Sequence, residues 1–156
     1  MKNINTKTSE ISKQGFTLIE LLIVVAIIGL LASVVLVGLG GFRGRGRDAR
    51  RIADLRETQN ALELYYIRNN AYPVISGADT WASLKTSLTG AGIGVTTISN
   101  DPLGVSRAYQ YGIAGDSQGY VLKATLEDTN NPALNDDVDG TIYSLDCADP
   151  SYCVQF

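Results

Sequence analysis

The sequence predicts an α+β protein in which a long N-terminal helix, apolar in its first half and amphipathic in its second, packs on a small antiparallel β-sheet. Three observations carry this expectation. Residues 16–39 (FTLIELLIVVAIIGLLASVVLVGL) form an apolar run with a single charge, Glu20. Beyond Asp48, the residues Ile52, Leu55, Leu62, Tyr65 and Tyr66 recur at three- and four-residue steps, with Ala61 beside them, which is the period of a half-buried helix. Short β-rich runs then follow at 108–114, 120–127 and 141–145. The chain thus divides into residues 1–15, an apolar helix 16–39, an amphipathic stem 40–70 and a globular head 71–156.

The apolar run comes first. As a helix it would be about 36 Å long, enough to cross a hydrocarbon core of about 30 Å. A soluble core helix is rarely apolar on every face. A secretory signal has a shorter apolar region followed by a small-x-small site, and none follows here. An ordinary single-pass anchor would leave Glu20 unexplained, because an acid inside such a run costs roughly 2.5–3.5 kcal/mol on insertion scales. Intramembrane acids usually have a partner. No basic residue lies within the run. The partner expected is a free N-terminal amine, created by a cut just before Phe16 and positive at neutral pH.

A continuous or once-broken helix is expected from about 17 to 69, amphipathic from Asp48, a candidate cap or first-turn acid, and ending near Asn69 and Asn70. Pro73 pushes Tyr72 out of helical geometry. Residues 79–89 read as a second helix, with Asp79 or Thr80 as cap and Trp81, Leu84 and Leu88 on one face. Gly90, Gly92 and Gly94 break it. The first two β-runs are joined by residues 115–119, a hairpin-like loop.

Charge is distributed unevenly. The net charge of the 156 residues is -3, yet residues 43–70 carry seven arginines and residues 71–156 set ten acids against Lys85, Arg107 and Lys123. A basic stem leads into an acidic head, which argues against nucleic acid as a partner. The sequence has no histidine, and with it no commonest general base or metal ligand. It also lacks a phosphate-binding Gly-x4-Gly-Lys-Ser/Thr and a Cys-x-x-Cys. No enzyme is expected. Cys147 and Cys153 are the two cysteines. An isolated pair in a chain that leaves the cytoplasm is expected to form a structural disulfide, against the alternative of two free thiols.

The stretch from Lys13 through Gly15, Phe16 and Glu20 to Leu21 resembles the cleavage site of type IV prepilins and type II secretion pseudopilins. The resemblance implies a pilin-like fold and a structural filament subunit. It implies a cytoplasmic leader, residues 1–15, cut after Gly15 by a prepilin peptidase that then methylates Phe16. It implies that Glu20 pairs with the N-terminal amine of a neighbouring subunit during assembly. The implied partners are copies of the chain itself, the peptidase, an assembly platform with its ATPase, and the inner membrane. The implied location is the cytoplasmic membrane for the precursor and a cell-surface filament once assembled. A different reading of the same residues is a single-pass anchored extracytoplasmic binding domain that does not assemble.

The resemblance has departures. Many members carry a proline where this chain has Val37; Gly38, Gly40, Gly41, Gly44 and Gly46 follow instead. That stretch is expected to be either a helix break, melted in place of the proline kink, or a plain linker. Counting charges alone would place Arg43, Arg45, Arg47, Arg50 and Arg51 on the cytoplasmic side. The cleavage motif and the cysteines argue the opposite, and the arginines are then expected to face acidic surfaces of neighbouring subunits or lipid headgroups. In the head, Ala71-Tyr72-Pro73 and Asp101-Pro102-Leu103-Gly104 with Tyr109-Gln110-Tyr111 resemble major pseudopilins, although Leu103 stands where an aromatic is usual. Those proteins bind calcium in a C-terminal loop. The resemblance implies a calcium site here at Asp136, Asp137 or Asp139, with Glu127 or Asp128 as further candidates; a solvated turn is the alternative.

Overall fold

The structure is a computed structural model, and it describes residues 15–75 and 80–156, with side chains at 36–40 left aside. The leader and the Asp79 cap lie outside the described residues. Two compact units are present, residues 1–40 and 41–156. In the first, the apolar residues from Phe16 to Val35 are exposed on every face, and the window Leu18–Val35 has a mean hydropathy of 2.9. Helix α1 is Leu18–Asn69. Residues 38–46, the candidate break or linker within a continuous or once-broken helix, are helical. Each glycine costs about 1 kcal/mol against alanine. On the C-terminal side of this stretch, ion pairs from Arg45 and Arg47 to the head oppose that cost.

Within the second unit the buried stripe of α1 runs through Asp48, Arg51, Leu55, Thr58 and Leu62, a 3–4–3–4 spacing that keeps one face inward. Asn70, with φ 54°, ends the helix in the left-handed conformation that a C-terminal cap requires. Helix α2, Thr80–Gly90, buries Trp81, Leu84 and Leu88, as its period predicts. Strands β1 (Gln110–Ile113) and β2 (Tyr120–Thr125) form the expected antiparallel hairpin.

The third strand of this sheet differs from the expectation. It is β5, Ser151–Gln155, antiparallel to β2, in the order β1–β2–β5. The run expected as one strand over 141–145 is a separate small hairpin, β3 (Thr141–Ile142) with β4 (Leu145–Asp146). Tyr143 and Ser144 turn it with φ of 44° and 70°, the positive-φ pair of a two-residue hairpin loop, without the glycine or asparagine that usually marks one.

Strand β2 is covered on both faces. Tyr120, Leu122 and Ala124 face the main core with Leu55, Leu62, Leu84 and Leu88. Val121 lies in a second cluster with Cys147 and Cys153, against Ile142, Tyr143 and Leu145. Leucines and tyrosines make up most of the main core, and buried tyrosine hydroxyls find partners: Tyr109 donates to Asp54 at 2.8 Å, Tyr111 to the Pro73 carbonyl at 2.9 Å and Tyr72 to Glu63 at 2.9 Å.

Candidate functional site

Three polar constellations stand out. The first is at the start of α1. Glu20 Oε2 accepts from the Thr17 backbone N–H and from the Thr17 hydroxyl, both at 2.8 Å, while the Glu20 N–H donates to Thr17 Oγ1 at 3.3 Å. This reciprocal arrangement is a capping box, Thr17-x-x-Glu20. This Thr-x-x-Glu spacing was legible in the sequence, where only a charged partner for Glu20 was expected. The box satisfies two donors at an apolar helix end and fixes one carboxylate oxygen beside residue 17. Gly15 and Phe16 lie just ahead of α1, and Phe16 is exposed.

The second constellation is buried. Arg51 is completely enclosed and holds Asp101 in a fork, Nε to Oδ2 at 2.6 Å and Nη2 to Oδ1 at 3.1 Å. Its Nη1 donates to Asp48 Oδ1 and to Glu127 Oε1, each at 2.7 Å. Arg47 donates Nε to Glu127 Oε1 at 2.7 Å and Nη2 to its other oxygen. Asp48 in turn accepts the backbone N–H groups of Glu127 and Asp128 at 2.9 Å each. Arg45 pairs with Asp128 at 3.2 Å. The expectation that these arginines face neighbours or lipid therefore fails for Arg47 and Arg51, which bind acids of their own head; Arg45 pairs with Asp128 but stays exposed, as do Arg43 and Arg50. Hydrogen bonds from Arg47 and Arg51 outweigh desolvation and hold the Glu127 carboxyl down at about 2. Burial disfavours the Arg51 charge, yet bonds to Asp101, Glu127 and Asp48 push its pKa above the usual arginine value.

The third constellation is the acidic loop. Carboxylate oxygens of Asp137, Asp139 and Asp149 lie within 4.8 Å of one another. Asp137 Oδ2 accepts the Cys153 N–H at 2.7 Å, while its Oδ1 is buried without a partner. Burial raises the Asp137 pKa; the Cys153 N–H works against this, and the charges of Asp139 and Asp149 add to it. Asp136 is exposed and outside this group, and Glu127 and Asp128 are taken by arginines. Asp149, not among the residues expected from the sequence, completes the group. The Cys147–Cys153 disulfide braces the loop, with a Cα–Cα distance of 5.8 Å.

The prokaryotic N-terminal methylation motif family matches residues 12–36. A type IV wide pilus major component, PilA4 of Thermus thermophilus, is 36% identical over 115 residues, covering 74% of this chain and 82% of that protein. This chain belongs to the type IV pilin and pseudopilin family. Type II secretion system core protein G of Aeromonas hydrophila is 38% identical over 76 residues, 48% of this chain and 53% of that protein. The Escherichia coli protein of the same description is 38% identical over 61 residues, 39% of this chain and 42% of that protein. The chain thus spans about half the length of the secretion-system relatives it matches. No solved structure matches it. Within this pilin-class chain, the matched motif contains Gly15, Phe16, Thr17 and Glu20, while the buried arginine cluster and the acidic loop lie in the second unit.

Proposed function

We propose that this chain is a structural subunit of a type IV pilus or a type II secretion pseudopilus, held in the inner membrane as a precursor and assembled through residues 16–39. The observation that carries the reading is the first half of α1, apolar and exposed on all faces with Glu20 as the one acid in it, directly after Gly15. Such a surface needs lipid or other copies of the same helix around it. A peptidase cut after Gly15 and methylation of Phe16 place a positive amine near the level of Glu20, and a neighbour's Glu20 can pair with it in a low-dielectric filament core. The assembly platform and its ATPase supply the lifting step. Mass spectrometry of the mature chain tests this: an N-terminal methyl-phenylalanine at Phe16 is expected, whereas an uncut chain beginning at Met1 in the membrane fraction sinks it.

Calcium in the head is a second part of the proposal. The donor set fits: Asp137, Asp139 and Asp149 offer hard oxygen ligands, and Asp137 Oδ1 is buried with nothing to bind. A bound calcium ion would offset two of the three converging negative charges and tie residues 137–139 to the loop closed by the disulfide. Supporting it is the same buried oxygen, which otherwise costs about 1–3 kcal/mol of desolvation.

A further inference from the structure

The head carries an apolar projection and a groove, part apolar and part polar in its lining, that no described residue fills. The projection is the 3-10 turn Gly104–Arg107, whose Val105 is 98% exposed beside the half-exposed Leu103. This turn is rigidly set. Asp101 accepts the Leu103 N–H at 2.7 Å and the Gly104 N–H at 2.9 Å, and Asp101 is itself clamped by the buried Arg51. The groove, about 260 Å³, runs between α1 and residues 94–98. Ala61 and Ile98 are buried at its base, while Leu64 is 47% exposed along it. Charge matches as well. Arg107 on the turn donates only to the carbonyls of Thr125 and Leu126, and Glu57 lines the groove; among the described residues neither has an ion-pair partner.

We propose that the Val105 turn of one subunit seats in the α1/94–98 groove of another copy of this chain, with Arg107 against Glu57. The inference rests on the filament reading and adds the contact between heads. The turn and the groove are different patches of one surface, so the contact can repeat from copy to copy without closing on itself, which is what a filament needs. A turn already fixed by Asp101 loses little freedom on docking.

The test uses the full-length chain with its assembly machinery. Both native cysteines are in a disulfide, so introduced thiols report cleanly. Val105→Cys combined with Leu64→Cys should yield a covalent ladder of dimers, trimers and higher species from mildly oxidised filaments, while each single variant gives none. Filaments without a ladder overturn the docking contact and leave the filament reading standing. A cross-linked product whose mass is not a multiple of the chain assigns the groove to another protein and also overturns it. Absence of filaments from the unmodified chain overturns both readings. The charge exchange is a second, independent arm. Arg107→Glu and Glu57→Arg should each reduce filament yield at least tenfold, and the double exchange should restore it. Failure of the double exchange, in a precursor with an unchanged Tm, overturns the proposal.

Discussion

At the scale of single residues, the stability of the head turns on Arg51. A guanidinium shielded from water is tolerable only because Asp48, Asp101 and Glu127 surround it. Arg51→Ala would leave these carboxylates without their shared cation, and a loss of about 3–5 kcal/mol is expected, read as a large fall in Tm of the detergent-solubilised chain. Arg51→Lys should recover only part of it, because an ammonium cannot reproduce the fork on Asp101. Acid should act through the same cluster. The folded pKa of Glu127 is about 2 against an ordinary 4.5, so its contribution is complete above about 4.5 and is lost as pH falls toward 2. Asp137 has the opposite sign. Its raised folded pKa means that the head gains stability as this group takes up a proton and loses it as pH rises through that value. Glu127→Gln should therefore flatten the acid arm of a Tm-against-pH curve, and Asp137→Asn should raise Tm at neutral pH in a calcium chelator. The same Asp137→Asn chain should show no calcium-dependent rise in Tm; an undiminished rise would remove Asp137 from any calcium site. The sequence contained all of these residues but not their pairing. Arg51 meets Asp101 across 50 positions and Glu127 across 76, and nothing local distinguishes it from the exposed Arg50 beside it.

Among the elements, those legible in advance were the ones whose signal is local. The stem face, α2 and the β1–β2 hairpin each announce themselves by period or by a polar loop, and each is found within a few residues of its expected bounds. Strand β5, no shorter than β1, was missed because it follows a cysteine-bearing loop and its place depends on pairing with β2 from Ser151↔Thr125 to Gln155↔Val121. The β3–β4 turn was missed because Tyr143 and Ser144 are unusual occupants of positive φ. Close packing explains how that turn is held. A Cβ on Gly112 would meet Val121 Cγ1 at 2.9 Å and the Tyr143 carbonyl at 3.0 Å, so β1 and the small hairpin touch through a glycine. Gly112→Val is expected to separate them and to lower Tm by overpacking, at a cost of about 1–3 kcal/mol. The disulfide ties β5 to the loop after β4, across six positions. Closing so short a loop is worth about 2 kcal/mol in the chain-entropy account, and Cys147→Ser with Cys153→Ser should show a loss of that order by thermal unfolding under otherwise identical conditions.

On the scale of the whole molecule, the filament reading proposed above gives the two units different work. Residues 16–35 offer apolar surface that lipid satisfies as well as another helix does, so grease alone gives no preference for assembly over membrane. The preference must come from what lipid cannot provide. For the helix that is a counter-charge for Glu20, and for the head it is a complementary surface. The capping box adds a complication, because Glu20 has a role within its own chain: it accepts from the Thr17 N–H and hydroxyl. A Glu20→Val chain would lose both the cap, worth about 1 kcal/mol, and the charge, so its failure to assemble would not separate them. Glu20→Gln does separate them. Glutamine occupies the same place in a capping box and keeps the acceptor, but it carries no charge for a neighbour's amine. If pairing drives assembly, both variants should be cut after Gly15 at the normal rate, as mass spectrometry of the membrane fraction would show, and both should lose filaments by at least tenfold in electron micrographs. Filaments of normal abundance from Glu20→Gln, with none from Glu20→Val, would instead mean that the carboxylate serves to start α1 at Thr17, and that the positive amine at Phe16 finds its partner elsewhere.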